Sequence, residues 1–243
     1  MNRDSNQAAA LPFGRVMSGL RWRAGAVRNR MREVRADGLS DHIRCRLELG
    51  FVLPPLVTMQ NYPRLKFLHD CIERFAPTTG VGLEIGCYKC TSTVFIGHAC
   101  ARAGVGQVYA IDLFTGTRSW NTAVDYLDEA QQKLARYGLR ERVTLIRSDS
   151  LSYPWTAPVA ALHIDADHSY EAVWADIQKY VPFIVENGIC VFDDYDVSHD
   201  GVTRAVHRLL AEDSSFEVVA ANYQGAEFGS VCIRRTRRPV HVG

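Results

Sequence analysis

Residues 162–194 constrain the fold of this chain more than any other stretch. Residues 159–164 and 189–192 are apolar runs, and apolar residues recur between them at helical spacing. A helix that joins two buried strands is the crossover of a parallel sheet. The pattern therefore predicts a strand, a helix and a second strand in one sheet. The apolar stripe of the helix comprises Tyr170, Val173, Trp174, Ile177, Val181 and Ile184.

Acidic residues follow both predicted strands. Asp165 ends the first strand, and Asp193 and Asp194 end the second, while His168 lies one turn beyond Asp165. Both strand ends of such a unit open onto the same sheet edge, so we expect these carboxylates and His168 to converge there. Like charges gathered at one place repel and raise each other's pKa. A hard divalent cation with oxygen ligands would offset that repulsion.

Strands and helices alternate over most of the remaining chain. We predict further strands at residues 82–85, 108–111 and 143–146, and helices beginning near Tyr62, Thr91, Ala123 and Val202. Residues 216–221 and 229–233 read as a closing hairpin around a turn at 222–228. The predicted fold is α/β, with three layers and a mainly parallel seven-stranded sheet that ends in an antiparallel hairpin.

Length, charge and cysteine content bound the class of protein. A chain of 243 residues suits one domain with additions, and a net charge of +1 gives no case for nucleic-acid binding. Seven cysteines, several of them in predicted core elements, indicate reduced thiols and a cytoplasmic protein. Cys87 and Cys90 form a CxxC without a second ligand pair, which is weak evidence for zinc. We see no apolar run long enough to span a membrane.

The two ends of the chain are basic. Residues 1–61 hold an Arg-rich arm that we expect to be helical, and residues 235–243 form a basic tail. The arm is either a solvated basic face, a dimer contact, a lid over the site, or a grip on an acidic partner or membrane surface. The sequence leaves these alternatives open. We expect the remainder, residues 62–234, to form one domain.

Three strand ends form an ordered series at the predicted ligand edge. Gly86 follows the first strand, where a glycine lets the backbone turn tightly and approach a ligand. Asp112 ends the second strand, where an acid can accept hydrogen bonds from two ribose hydroxyls. Asp149 and Ser150 end the third strand and could meet an adenine edge. No GxGxxG follows the first strand, which argues against a nicotinamide oxidoreductase.

This combination resembles the class I S-adenosylmethionine (SAM)-dependent methyltransferases. More narrowly, the segment from IDADHSY to FDDYD looks like the metal-dependent O-methyltransferases that act on sugar hydroxyls, which include macrocin-type and rhamnosyl enzymes. Catechol O-methyltransferases carry a comparable acid triad. The resemblance covers roughly residues 62–233 and implies a Rossmann-like fold with SAM and Mg²⁺ as cofactors.

The resemblance also implies roles for individual residues. Asp165, Asp193 and Asp194 match the magnesium ligands, and His168 falls where the related catechol enzymes place a general base. Cys90 departs from the family because that position is usually glycine. The implied cofactor residues are Glu84, Gly86, Tyr88, Ser92, Asp112, Asp149, Ser150 and Asp165. Rim positions that could meet a substrate are Trp120, Tyr170, Tyr195 and His199.

These features favour a SAM- and Mg²⁺-dependent O-methyltransferase that modifies a sugar or oligosaccharide in natural-product or polysaccharide biosynthesis. Methylation of a catechol or another vicinal diol is an alternative, because those acceptors also present adjacent oxygens. A metal- or cofactor-binding module without catalysis is an alternative from another class. The expected partner is a sugar acceptor rather than nucleic acid, and a homodimer through the Arg-rich arm stays open.

Overall fold

The computed structural model describes residues 40–54, 61–115, 124–195, 200–224 and 228–236. The chain divides into two compact units, Met1–Leu53 and Pro54–Gly243. Of the first unit, residues 40–49 form helix α1, and the Arg-rich stretch before residue 40 lies outside the described residues. Residues 237–243 of the predicted basic tail also lie outside them. Nowhere in the described ranges does a helix have the length and apolar character needed to cross a membrane.

The second unit alternates strands and helices as the sequence predicts. Most boundaries lie within a residue or two of the expected ones, and the helix at Thr91–Ala103 coincides with its prediction. The elements are α2 (Tyr62–Phe75), β1 (Val81–Ile85), α3 (Thr91–Ala103), β2 (Val108–Asp112), α4 (Leu127–Arg136), β3 (Val143–Arg147), β4 (Val159–Ile164), α5 (Tyr170–Tyr180), β5 (Ile184–Asp193), α6 (Asp200–Glu212), β6 (Phe216–Gln224) and β7 (Phe228–Arg235).

The seven strands form one sheet in the order β3-β2-β1-β4-β5-β7-β6. Strands β1 to β5 pair in parallel, whereas β7 runs antiparallel to both β5 and β6. The predicted mixed sheet with a C-terminal antiparallel hairpin is therefore confirmed. Its central strands are the most apolar: all six residues of β4 are buried, as expected for a strand covered on both faces.

The order of the strands creates a switch point between β1 and β4. From β1 the chain steps to β2 and β3 in one direction, and from β4 it steps to β5 in the other. Because such crossovers are right-handed, α3 and α4 cover one face of the sheet and α5 covers the opposite face. Helix α2 packs with α3, and α6 packs with α5, which completes the three layers. Ligands of open α/β sheets bind outside the strand ends at such a point.

Three boundaries differ from the sequence prediction. Helix α4 begins at Leu127 rather than near Ala123, since residues 124–126 are not helical. Helix α5 ends at Tyr180, residues Val181–Phe183 form a 3₁₀ turn, and Ile184 begins β5 instead of continuing the helical stripe. Pro182 explains this, because a proline has no backbone N–H and cannot donate the hydrogen bond that would continue the helix. The hairpin is also longer than predicted, since residues 222–224 pair with residues 228–230 across a shorter turn.

Arg235 does not lie in a solvated tail. It is the last residue of β7 and only 2% exposed. Its Nη2 donates to the carbonyl oxygen of Val181 at 3.0 Å, and the guanidinium lies over the ring of Phe216. The hydrogen bond and the aromatic ring offset part of the cost of burying this charge, which the sequence pattern alone could not reveal.

Candidate active site

Gly86 marks the place where the loop after β1 meets the chain after β4. Its backbone has φ +84°, and a Cβ there would lie 2.4 Å from the carbonyl oxygen of Asp165. Asp165 N–H donates to the Ile85 carbonyl oxygen at 2.9 Å, so the two segments are hydrogen-bonded immediately before this contact. No side chain fits between them. The glycine that the sequence singled out is therefore required both by its backbone conformation and by its neighbour.

Asp112 holds the loop that follows Gly86. Its Oδ2 accepts hydrogen bonds from the backbone N–H groups of Cys87 and Tyr88 at 2.9 and 2.8 Å. Its Oδ1 accepts from the N–H of Phe114 at 2.6 Å. These three donors fix the carboxylate at the edge of the sheet where a ribose was expected. The sequence placed Asp112 at this edge, but its role as an anchor of the loop was not predicted.

Cys90, the departure from the family pattern, turns its side chain into the protein. The residue has left-handed backbone at the start of α3, with φ +60°, and is fully buried. Burial and a hydrogen bond with the neighbouring Cys90 thiol raise the pKa of Cys87 well above its ordinary value. The Cys90 side chain thus meets Cys87 in the interior rather than lining the sheet edge.

Glu84 is the centre of a buried hydrogen-bond network. Its Oε2 accepts from the Thr93 hydroxyl at 2.5 Å, and its Oε1 lies 3.1 Å from Nδ1 of His163. Glu84 and His163 are register partners on the adjacent strands β1 and β4. Burial alone would lower the pKa of His163, but the Glu84 carboxylate raises it above the ordinary value. The position of His163 within an apolar run of the sequence indicates a core residue, in agreement with its burial, but does not identify its partner.

The acids after β4 and β5 converge with His168. Ligand atoms of Asp165, His168 and Asp194 lie within 4.8 Å of one another, as do those of His163, Asp165 and Asp193. Nε2 of His168 is 3.1 Å from Asp194 Oδ2 and 3.7 Å from Asp165 Oδ1. We call Asp165, Asp193, Asp194 and His168 the acid cluster. Neighbouring parallel strands bring it together from positions about 30 residues apart in the chain, as the crossover predicted.

Arg64 contacts the acid cluster from helix α2, and sequence reasoning missed it. Its Nη2 lies 2.5 Å from Asp193 Oδ1 and 2.8 Å from Asp194 Oδ1, and its side chain is 3% exposed. One signal was available in the sequence. Arg64 precedes Leu68 by four residues and therefore lies on the apolar stripe of the helix, where a charge needs a buried partner.

The comparison with known families identifies the central region. Residues 83–195, which hold the glycine loop, Asp112 and the acid cluster, match a family described as a methyltransferase domain. Residues 83–195 of this chain therefore form a methyltransferase domain. The enzyme class expected from the sequence resemblance, a SAM-dependent O-methyltransferase, is confirmed, whereas the sugar acceptor and Mg²⁺ stay predictions.

Solved structures of several methyltransferases share the fold. The O-methyltransferase NovP is 20% identical with a TM-score of 0.59, covering 74% of this chain and 82% of its own. The O-methyltransferase TomG from Streptomyces achromogenes, in complex with SAM, is 20% identical with a TM-score of 0.54, covering 82% and 89%. An O-methyltransferase from Bacillus cereus, in complex with SAH, is 16% identical with a TM-score of 0.54, covering 81% and 90%. At these identities the likeness concerns the fold.

Opposing electrostatic effects act on the carboxylates of this methyltransferase. Burial and the charge of Asp193 raise the pKa of Asp165 to about 6. Burial would also raise the pKa of Asp193, but the Arg64 guanidinium lowers it below the ordinary value. Although burial lowers the pKa of His168, the carboxylates of Asp165 and Asp194 raise it above the ordinary value. The carboxylates of the cluster therefore stabilise positive charge both on Arg64, at the buried side, and on His168, at the more exposed side.

The residues predicted to meet the adenine lie at the end of β3. Asp149 Oδ1 accepts from the N–H groups of Leu151 and Ser152 at 3.0 and 3.1 Å. The Ser150 hydroxyl donates to Asp176 Oδ1 at 2.7 Å. Burial raises the pKa of Asp176, on helix α5, to about 6. The sequence placed both predicted residues at the ligand edge of the methyltransferase but gave no signal for Asp176.

The remaining predicted site residues are dispersed. Ser92 is buried in the first turn of α3, and Tyr88 packs edge-on against Tyr126 with ring centroids 4.9 Å apart. The Tyr170 hydroxyl accepts from Arg208 Nη1 at 2.9 Å. Tyr195 is buried, with its hydroxyl 2.8 Å from Nε2 of His207. Trp120 and His199 lie outside the described residues, so their predicted substrate contacts stay predictions.

Proposed function

We propose that this protein transfers a methyl group from SAM to a hydroxyl of a sugar or oligosaccharide, with Mg²⁺ held by Asp165, Asp193 and Asp194. The observation that carries the proposal is the convergence of three carboxylates and His168 next to the β1–β4 switch point. The resemblance of residues 164–196 to metal-dependent sugar O-methyltransferases supports the acceptor class. The neighbours NovP and TomG, both O-methyltransferases, support oxygen as the methylated atom.

The charge and chemistry of the acid cluster suit a divalent cation. Carboxylate oxygens are the ligands that Mg²⁺ prefers. Arg64 lies against Asp193 and Asp194, and its single positive charge neutralises only one of the three carboxylates in the cluster. Two negative charges then remain beside His168. When bound, Mg²⁺ would withdraw electron density from a hydroxyl that it contacts and make that hydroxyl easier to deprotonate.

The glycine loop suits a cofactor that approaches the backbone closely. Gly86 leaves no room for a side chain, and Asp112 fixes the N–H groups of Cys87 and Tyr88. These residues would hold SAM at the switch point, where it supplies an activated methyl group on its sulfonium. The protein's contribution is then to orient the acceptor oxygen in line with that methyl group.

His168 is the residue placed to accept the hydroxyl proton. Its side chain is 33% exposed, so an acceptor can reach it, and its Nε2 lies beside Asp194 and Asp165. Both carboxylates stabilise the imidazolium that forms when the proton is taken, which is the direction in which they raise the pKa of His168. Asp194 would thus orient His168 as well as hold the cation.

A catechol or another vicinal diol is the alternative acceptor, since the same cluster can serve any pair of adjacent oxygens. A non-catalytic module is the alternative of another class. Transfer of a labelled methyl group from SAM to a panel of mono-, di- and oligosaccharides, run against catechols, separates the three. We expect transfer to a saccharide. Transfer to catechols alone would move the assignment to the first alternative, and binding of SAM without any transfer would favour the second.

The metal role is tested by chelation and by Asp194→Asn. Asp194 has φ +55°, a conformation that asparagine tolerates, so this variant changes charge with little backbone strain. We expect both treatments to lower methyl transfer by about 100-fold or more while calorimetric SAM affinity stays near wild type. Asp70→Asn, on α2 with a side chain 47% exposed, is the matched control and should transfer normally. Full activity in chelator would refute the metal.

A further inference from the structure

Arg64 lies at the back of the acid cluster, and its role is not covered by the proposed reaction. It is in the first turn of α2, where its backbone N–H donates to the capping oxygen of Asn61 at 3.1 Å. Its Nε donates to Asp193 Oδ1 at 3.0 Å and its Nη2 to Asp194 Oδ1 at 2.8 Å. One planar guanidinium therefore spans two consecutive carboxylates, which a lysine ammonium cannot do with the same geometry.

Arg64 binds some of the carboxylate oxygens of the cluster and leaves another facing His168. Asp193 Oδ1 accepts from Nε and Nη2 of Arg64 and also from the Ser230 hydroxyl at 2.7 Å. Asp194 gives Oδ1 to Arg64 and presents Oδ2 to His168 at 3.1 Å. Holding one oxygen of a carboxylate fixes the direction of the other. The guanidinium thus sets how Asp194 faces His168.

The charges explain why such a residue is needed. Asp193 and Asp194 are 4% and 8% exposed, and Asp165 lies beside them. Glu84 is paired with His163, so its charge is balanced within its own network. Buried carboxylates that lack a counter-charge are strongly destabilising. Arg64 supplies a permanent counter-charge, because an arginine stays protonated at any working pH.

We propose that Arg64 is a positioning residue that acts as a built-in counter-ion, assembling and orienting Asp193 and Asp194 before any divalent cation binds. Only the part of this proposal that concerns the divalent cation rests on the proposed function. Its central claim, that repulsion between the carboxylates is held in check by Arg64, applies to the protein in chelator. Because Arg64 leaves two negative charges in the cluster, it prepares the cluster for a divalent cation instead of taking its place.

Thermal unfolding of the full chain in chelator tests the central claim. Arg64→Gln should lower the Tm by about 10 °C, because one partner of a buried ionic cluster is removed. Arg64→Lys keeps the charge but loses the two-carboxylate geometry, so its Tm should lie between those of wild type and Arg64→Gln. Arg74→Gln, an exposed arginine on the same helix, is the matched control and should unfold like wild type.

The double variant Arg64→Gln/Asp193→Asn separates a counter-ion from a residue that only fills space. Removing one carboxylate along with the guanidinium restores the charge balance, so we expect it to recover at least half of the Tm lost in Arg64→Gln. A space-filling role would give no recovery. The proposal is overturned if the double variant is no more stable than Arg64→Gln, or if Arg64→Gln unfolds at the same temperature as Arg74→Gln.

Repeating the series with MgCl₂ tests the link to the metal. We expect Mg²⁺ to raise the Tm of Arg64→Gln by more degrees than that of wild type, since the cation meets an extra uncompensated charge. Equal Mg²⁺ shifts in both proteins would overturn this part. If Mg²⁺ shifts none of the variants, the metal of the proposed function fails, while the chelator series still decides the role of Arg64.

Discussion

Replacing Gly86 by alanine tests whether the close approach of two backbone segments builds the cofactor edge. The added methyl group would lie 2.4 Å from the Asp165 carbonyl oxygen and 2.6 Å from Cα of Ala166, on a backbone with φ +84°. Left-handed backbone costs alanine about 1–2 kcal/mol, and forcing packed segments apart costs about 1–3 kcal/mol more. We therefore expect Gly86→Ala to lower the free energy of unfolding by about 2–5 kcal/mol.

Gly138→Ala is the matched control for this variant. Gly138 has φ +70°, and a Cβ added there meets no atom within 4 Å. It should lose only the conformational contribution of about 1–2 kcal/mol. The difference between the two variants in urea denaturation therefore isolates the contact between the loop after β1 and the chain after β4.

Cofactor binding gives a second, independent readout. The loop after Gly86 must move to admit the methyl group, and that movement pulls Cys87 and Tyr88 from Asp112. We expect isothermal titration calorimetry to show SAM affinity reduced at least about tenfold in Gly86→Ala, which corresponds to 1.4 kcal/mol, and unchanged in Gly138→Ala. The reasoning is refuted if Gly86→Ala is no less stable than Gly138→Ala and binds SAM like wild type.

Three further substitutions probe carboxylates that accept hydrogen bonds within the fold. Because burial raises the pKa of Asp176 to about 6, above an unfolded value near 4, wild type should lose stability between about pH 4 and 6. Asp176→Asn lacks this loss, so denaturation curves should show the variant gaining about 1–3 kcal/mol on wild type by pH 7.5; parallel pH profiles would contradict this. Glu84→Gln weakens a buried charged hydrogen bond to His163 and should cost about 1.5–3 kcal/mol at pH 7, whereas an unchanged denaturation midpoint would count against that network. Asp112→Asn weakens the anchor of the glycine loop, so calorimetric SAM affinity should fall about tenfold or more; wild-type affinity would show that the anchor is dispensable.

The sequence predicted the elements that depend on local pattern. Apolar periodicity was enough to predict β4 and α5, and the acids at the strand ends were enough to place three carboxylates at one sheet edge. The reason is that the order strand, helix, strand fixes the geometry of a parallel crossover. The exception at Ile184 is instructive. Its spacing suits the helical stripe, but Pro182 cannot donate the hydrogen bond that would continue α5, and Ile184 is buried as the first residue of β5 instead.

The apolar periodicity of the sequence did not predict contacts between distant segments. Arg64 meets Asp193 across 129 residues, and Glu84 meets His163 across 79 residues. Periodicity tells which face of an element is buried, but not which side chain of another element it meets there. The partner is selected by packing in three dimensions, where each buried charge must find an opposite charge or a hydrogen bond.

The sequence by itself determined the order of strands and helices, the glycine turn after β1, and the acids that end β2, β4 and β5. Only the tertiary structure decided how those acids are neutralised: Arg64 from α2 takes Asp193 and Asp194, and backbone N–H groups take Asp112. The physical reason is that local pattern fixes where a charge emerges from the sheet, whereas its energy depends on groups that only the packed chain brings near.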